Sequence, residues 1–444
     1  MKFSAFSTSV LALATLAGAA SAQDKIKFEY WYGLSGQLGN AVQATCDRFN
    51  ESQTEYEITC VGQDGYANAV QNTIAAFRAK QHPTIVQAYD AGTADLMMSG
   101  EFYAVSKMMA DFNIEIDWAN YFPGISNYYS SSKGELFSMP FNSSTPMIYF
   151  NVADLKEAGI DTPPATWEAF ETAIKALKEA GQACAYAYSP EPWIDLEQFS
   201  MAHGIPIASN NNGYDGLDSE YLYNTTLHVK HMENIKRWYD ENLLEIRTTQ
   251  GGLNSRDSFA KGECSFYLGS IAGHATVGKL VDGAFDWDVA MIPVYEGTER
   301  KNTVVGGASL WVLSGKSDDE YRGAAEYLKF LATPESEEYW STNTGYIPVT
   351  KTGFDALMAK GFYDNAPYKG REIALKSLTY TEPGPLTRGI RLGGFIQARS
   401  EWSNEVQAAL QGNKTMQEAL DTAVARSNDV LNKFARTYRG KQLP

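Results

Sequence analysis

The sequence predicts an α/β protein folded as two lobes, on three grounds. From Lys25 onward, short strands and amphipathic helices alternate, the pattern of a mainly parallel sheet covered by helices. The alternation pauses at Pro140-Phe-Asn-Ser-Ser-Thr-Pro146 and then resumes as though a second unit had begun. A chain of 444 residues also exceeds what one hydrophobic core organises.

The first residues carry an address. Lys2 precedes an apolar run from Val10 to Ala20, and Ala20-Ser-Ala22 matches the small-x-small signal for cleavage before Gln23. Residues 1–22 are therefore expected to be a signal peptide. No cysteine follows the cleavage point, so no lipid anchor is indicated. No later segment reaches the ~18 apolar residues of a membrane helix. The expectation is an exported, soluble chain in a bacterial periplasm, without direct membrane insertion.

Ile26 to Trp31 alternates in period two and reads as a strand. Leu38, Val42, Thr45 and Phe49 then recur at helical spacing. Tyr56 to Val61 is a second strand, Ala67 to Ala79 a second helix, and Thr84 to Ala88 a third strand. In such sheets ligands collect beyond the carboxyl ends of the strands. That draws attention to Trp31-Tyr32, the turn Gly62 to Tyr66, and Tyr89-Asp90.

Pro140 to Pro146 is the pivot between the halves. Proline fixes its own φ and pushes the preceding residue out of helix, so the segment is extended or tightly turned. Met147 to Phe150 follows as a buried strand. Asn142, Ser143, Ser144 and Thr145 could bind a polar ligand, join two domains, or do both. Ser144 is the one expected to face a ligand, and the other three are expected to satisfy the backbone of the connection.

Beyond a break at Asp161 to Pro164, Thr166 caps a helix with Trp167, Phe170, Ile174 and Leu177 on one face, and Gly181 ends it. Ala183 to Tyr188 reads as a strand. Ser209 to Gly216 has turn chemistry and reads as an exposed loop, since it lacks the full calcium-loop pattern. Capping boxes at Ser317–Glu320 and Thr415–Glu418 begin two further helices, Ala324 to Leu331 and Ala419 to Leu431. Thr379 to Thr387 is expected to be irregular.

The net charge of −16 argues against nucleic acid or an anionic membrane as partner. An anionic ligand would have to be captured by a local positive site. Cys46, Cys60, Cys184 and Cys264 permit three disulfide connectivities in an oxidising compartment. Cys46 and Cys60, on a helix and the next strand, are near enough to pair, which would leave Cys184 with Cys264. The pairing itself stays open.

Catalytic signatures are absent: there is no GxSxG, no HExxH and no glycine fingerprint after the first strand. Gly315-Lys-Ser317 reads as a helix cap rather than a P-loop, because Leu310 stands where the first glycine is needed. His228 and His231 are three apart but have no evident third ligand. Glu191 and Asp195 are spaced as a glycosidase pair could be, yet among 53 carboxylates such a spacing arises by chance.

Binding material is plentiful instead. Aromatic residues make up 13 % of the chain, with 26 tyrosines and 9 tryptophans, a lining suited to a small polyol or sugar. Gly306-Gly307 precedes an apolar strand and allows close backbone approach to another strand or to a ligand. Tyr346 stands just before a proline-fixed turn. Arg388, Arg391 and Arg399 cluster where charge is otherwise sparse, and an arginine in a cleft suits phosphate because its planar fork donates parallel bonds.

Seven segments taken in order carry a resemblance: Phe28 to Trp31, Ala75 to Arg78, Phe141 to Pro146, Asn211 to Gly216, Gly306 to Val312, Thr344 to Pro348, and Ala419 to Val424. Together they resemble the extracellular solute-binding proteins of ABC importers, the family that includes maltose-binding protein, in its branch specific for sn-glycerol-3-phosphate. The similarity runs over essentially the whole mature chain. It implies two α/β lobes of the periplasmic binding protein fold, joined by three crossings around a ligand cleft. On that pattern the crossings fall near Met139 to Ser144, Leu268 to Ile271, and Val305 to Ser309. The first lobe would be residues 23–140 with 268–307, and the second 141–267 with 308–444.

The resemblance further implies ligand contacts at Tyr66, Asp90, Ser144, Ser270, Gly307, Tyr346 and Arg399. Arg399 would take the phosphate, helped by hydroxyls and the Gly307 backbone, and Asp90 would accept from the glycerol hydroxyls. The implied protein is a monomeric, non-catalytic receptor without cofactor or metal. It would deliver its ligand to an inner-membrane permease served by a cytoplasmic ATPase. Three positions depart from the family pattern: Asp90 stands for a glutamate, Pro190 for a tryptophan beside surviving Trp193, and Tyr32 for a histidine. On the family pattern all three would touch the cleft. They leave glycerophosphodiesters such as glycerophosphocholine, or a disaccharide, as alternative ligands, and an exported glycerophosphodiester hydrolase as the alternative of a different class.

Overall fold

Pro140 to Pro146 joins two sheets, each covered by helices. A computed structural model describes Met1 and residues 24–248, 254–364 and 366–443. Beyond Met1, the expected signal segment and its cleavage point lie outside the described residues. No helix among the described residues is long and apolar enough to cross a membrane.

The first sheet contains β1 (Ile26–Tyr32), β2 (Tyr56–Gly62), β3 (Ile85–Tyr89), β4 (Phe102–Tyr103), β5 (Met139–Ser144) and β11 (Gly306–Leu313). Its order is β2-β1-β3-β11-β4, with β5 paired to β11. The second sheet contains β6 (Pro146–Asn151), β7 (Cys184–Tyr188), β8 (Leu244–Ile246), β9 (Cys264–Ser270) and β10 (Trp287–Met291), in the order β10-β6-β9-β7-β8. Both sheets are mixed rather than mainly parallel. β1 pairs parallel with β2 and β3, whereas β11 runs antiparallel to β3, β4 and β5. In the second sheet β7 pairs parallel with β8 and β9, while β6 runs antiparallel to β9 and β10.

The helices follow their apolar spacing. Helix Gly36–Ser52 buries Val42, Thr45 and Phe49, and helix Asp318–Leu331 lays Tyr327 against Phe49 and Tyr30 beneath the first sheet. Thr166 accepts from the Ala169 amide and starts helix Trp167–Glu179, whose Phe170 packs on Tyr186, Trp238 and Phe266 under the second sheet. Both expected capping boxes are formed, opening helices Asp318–Leu331 and Met416–Thr437. Disulfides join Cys46 to Cys60 and Cys184 to Cys264.

The division of the chain between lobes differs from the expectation. Leu268–Ser270 ends β9, and the chain stays with the second sheet through β10, because both strands pair with β6. Residues 268–291 therefore belong to the second lobe. The return to the first lobe is the stretch 292–305, leading into β11. The helices that follow, Asp318–Leu331 and Pro334–Asn343, pack on β1 and on helix Gly36–Ser52, so 306–343 belongs to the first lobe. The last passage to the second lobe follows helix Lys351–Ala359, since helix Glu372–Leu378 packs on β10.

Two local expectations also change. Ser209 to Gly216 is a packed turn rather than an exposed loop: Asn212 is fully buried and accepts from the Ile207 and Ala208 amides. His228 and His231 face the core of the second lobe, where the Trp402 indole donates to His228 and the His231 ring stacks on Phe199.

Candidate functional site

Between the lobes lies a cavity of about 650 Å³. Its first-lobe wall includes residues from two of the stretches that the sequence singles out, whereas Trp31-Tyr32 does not line it. Gly33 to Leu38 follow β1, Gly65 and Tyr66 follow β2, and Tyr89 and Asp90 end β3. Ser144 and Gly307 come from β5 and β11. Ser270, Ala272, Gly273 and Thr276 follow β9 on the second-lobe wall, with Tyr267, Trp193 and Glu191. All seven residues inferred from the family pattern, Tyr66, Asp90, Ser144, Ser270, Gly307, Tyr346 and Arg399, line this one cavity.

A chain of hydrogen bonds fixes the first-lobe wall. Gln87 accepts from the Gly33 amide at 2.9 Å and donates to Asn142 Oδ1 at 2.9 Å. Asn142 donates to the Tyr66 hydroxyl at 2.7 Å, which meets the Tyr346 hydroxyl at 3.3 Å. The Tyr66 ring stacks on Tyr89, and Tyr346 stacks on Trp340. Asn142 thus positions a tyrosine rather than serving its own backbone. Thr145 donates to Thr303 Oγ1 at 2.7 Å, tying the pivot to the returning chain, and Ser143 Oγ is buried without a protein partner. The expectation that these three satisfy the backbone of the connection is corrected accordingly.

Gly306 and Gly307 are required by close approach. A Cβ at Gly306 would lie 2.2 Å from the Trp193 ring, and one at Gly307, with φ of 104°, would lie 1.9 Å from the Asn142 carbonyl oxygen. The Gly307 amide donates to Asp90 Oδ2 at 3.3 Å.

Arg399 is heavily engaged on the cavity wall. It enters on helix Phe395–Leu410 and donates through Nη2 to Asp90 Oδ1 at 2.6 Å. Its Nε and Nη2 also bind both oxygens of Glu197 at 2.5 and 2.6 Å. Glu197 arrives on Trp193–Gln198, a π-helical turn with wider i→i+5 bonding that carries Trp193 to the cavity wall. Burial pushes the Glu197 carboxyl up to about 7, with Arg399 opposing and Asp90 and Glu191 adding to the rise. Burial likewise raises Glu191, again with Arg399 opposing and Asp90 adding. Asp195, the other member of the pair at helical spacing, accepts from the Glu191 amide and the Tyr188 hydroxyl and so supports this turn.

The other clustered arginines lie elsewhere. Arg388 stacks over Tyr214 and pairs with Asp215 at 3.6 Å, and Arg391 is buried, donating to the Tyr128 and Ser130 carbonyls. Arg256 and Tyr267, on the cavity wall, escaped the sequence reading, as did the link from Glu197 to Arg399. Arg256 sits in a short helix, Ser255–Ala260, with nothing local to mark it, and only the fold brings it to the wall. Among the described residues no group of three or more His, Cys, Asp or Glu is placed to hold a metal ion.

A family model of bacterial extracellular solute-binding proteins matches residues 44–360. The chain is 37 % identical to the sn-glycerol-3-phosphate-binding periplasmic protein UgpB of Yersinia enterocolitica, over 97 % of this chain and 98 % of that one. It is 36 % identical to the protein of the same name from Escherichia coli O1:K1 / APEC, over 99 % and 100 %. Among solved structures, the GacH receptor of Streptomyces glaucescens GLA.O aligns with a TM-score of 0.75 at 15 % identity, covering 93 % of this chain and 99 % of that one. UgpB from Mycobacterium tuberculosis in complex with glycerophosphocholine aligns with a TM-score of 0.73 at 18 % identity, covering 92 % and 99 %. At these identities the structural likeness speaks for the two-lobed fold alone.

Proposed function

Because the chain belongs to the bacterial extracellular solute-binding proteins, we propose that it captures sn-glycerol-3-phosphate between its lobes and delivers it to the permease of an ABC importer. Its place is the periplasm, reached by cleavage between Ala22 and Gln23, and it acts there as a monomer. It works by binding and release, without catalysing a reaction. The observation that carries this reading is the convergence of seven residues from both lobes on one cavity. Tyr66, Tyr346, Ser144 and Ser270 supply hydroxyls, Asp90 and Arg399 supply charge, and Gly307 supplies close backbone approach. Ligand contacts from both walls favour the closed arrangement, because only there are all of them made at once.

The cavity volume favours a second reading. About 650 Å³ falls in the range of drug-sized ligand sites, roomier than a three-carbon phosphate requires. Glycerophosphodiesters are therefore the second ligand class.

A thermal-shift panel of sn-glycerol-3-phosphate, glycerophosphocholine, inorganic phosphate and maltose tests both. A ligand at a hundredfold excess over its Kd stabilises by about 2.7 kcal/mol. The melting temperature is expected to rise with sn-glycerol-3-phosphate and not with maltose. A rise with maltose alone overturns the phosphate reading.

A further inference from the structure

The cavity is lined by two arginines whose surroundings differ. Arg399 already binds Asp90 and Glu197, and Glu191 lines the same cavity. One cation therefore meets two carboxyl groups. A phosphate monoester, bearing about −1.5 to −2 at pH 7, would meet a guanidinium whose Nε and Nη2 are already bonded to Glu197 and Asp90. A polyol suits this end better, because its hydroxyls donate to carboxylates and accept from the guanidinium. This revises the role that the family resemblance implied for Arg399.

Arg256 presents the other balance. It lines the second-lobe wall, and its guanidinium meets the adjacent Asp257, with Nη2 at 2.8 Å and Nε at 2.9 Å from the single oxygen Oδ1. Its Cδ lies 3.6 Å from where a Cβ at Gly273 would stand. Ser270 and Thr276 line the same wall, and Ser270 Oγ already accepts from the Ala272 amide, which leaves its hydroxyl proton to donate outward. At 35 % side-chain exposure Arg256 remains open to the cavity.

We propose that Arg256, with the Ser270 and Thr276 hydroxyls, holds the phosphate of the ligand, while Asp90 and Arg399 hold its hydroxyl end. The inference rests on the phosphate reading given above and names the residue that makes the cleft choose a phosphate ester over a neutral polyol. Arginine suits the role because its fork matches phosphate oxygens, and Ser270 and Thr276 stand on the same wall.

The test is titration calorimetry of the mature chain with sn-glycerol-3-phosphate, on the wild type, Arg256→Gln and Arg256→Lys. Arg256→Gln is expected to bind about tenfold more weakly or worse, at an unchanged ligand-free melting temperature. Arg256→Lys is expected to fall between it and the wild type. Wild-type affinity in Arg256→Gln overturns the assignment, as does Arg256→Lys binding no better than Arg256→Gln. A wild type that does not bind sn-glycerol-3-phosphate tells instead against the receptor reading.

Discussion

Arg399 combines two duties at one position. It neutralises Asp90 and Glu197, whose side chains are 6 % and 2 % exposed, and it lines the cavity. Arg399→Ala is therefore expected to weaken ligand binding by at least about tenfold. The same substitution strands two buried carboxyls, and breaking a buried pair costs roughly 3–5 kcal/mol. The melting temperature should fall with it. Unchanged affinity by titration calorimetry would remove Arg399 from the site. The sequence marks this residue only weakly, because Arg388, Arg391 and Arg399 look alike on paper. What separates them is tertiary: Arg391 spends its guanidinium on buried carbonyls, Arg388 on Tyr214 and Asp215, and Arg399 alone reaches the cleft. Arg256 is less legible still, since its place depends on β9 lying beside β6 and on the short helix packed over it.

Elements with strong periodicity are written plainly in the chain. Val42, Thr45 and Phe49, or Phe170, Ile174 and Leu177, point one way from a helix whatever it packs on. The two capping boxes fix helix starts by local bonds alone. Sheet membership is different. β9, β10 and β11 are similar short apolar runs, and long-range pairing with β6 or β3 decides which lobe each joins. Spacing alone does not hold that information, and the crossings that the resemblance implies put residues 268–291 in the first lobe, where their pairing with β6 does not leave them. The disulfides divide along the same line. Cys46–Cys60 closes a sequence separation of 14 next to β2, whereas Cys184–Cys264 closes one of 80 between neighbouring strands β7 and β9. In the chain-entropy account these are worth about 3 and about 4.5 kcal/mol. A Cys184→Ala/Cys264→Ala variant should melt lower than Cys46→Ala/Cys60→Ala. The reverse order by calorimetry would show that native-state packing, not loop closure, sets the difference.

At the scale of the whole molecule, buried titratable groups set the pH dependence of stability. Burial raises Asp195 and Glu197 to about 7 and Glu337 to about 8. A raised carboxyl binds its proton more tightly in the folded state. Its contribution is present below the unfolded value near ~4 and is lost as pH climbs through 7 to 8. His203 and His228 act in the opposite sense, held down to about 4 and about 3 by burial. Their contribution is present above the unfolded value of ~6.5 and is lost as pH falls toward 4 and 3. The ligand-free protein is expected to melt highest near about pH 6 and lower at both pH 4 and pH 8.5. A melting temperature still rising from pH 6 to 8.5 would contradict the burial of those carboxyls.

One residue, Thr145, separates β5 of the first sheet from β6 of the second. It is fully buried and bonded to Thr303, in the stretch that carries the chain back. The point behaves as a fulcrum. In a rigid rotation, displacement grows with distance from the axis. If the lobes turn about this link, Ser144 beside it barely travels, whereas residues at the cleft mouth sweep the longest arcs. A reporter fixed near Ser144 would then register ligand contact with little sense of opening. One placed at the rim would register opening, and the pair would separate occupancy from closure.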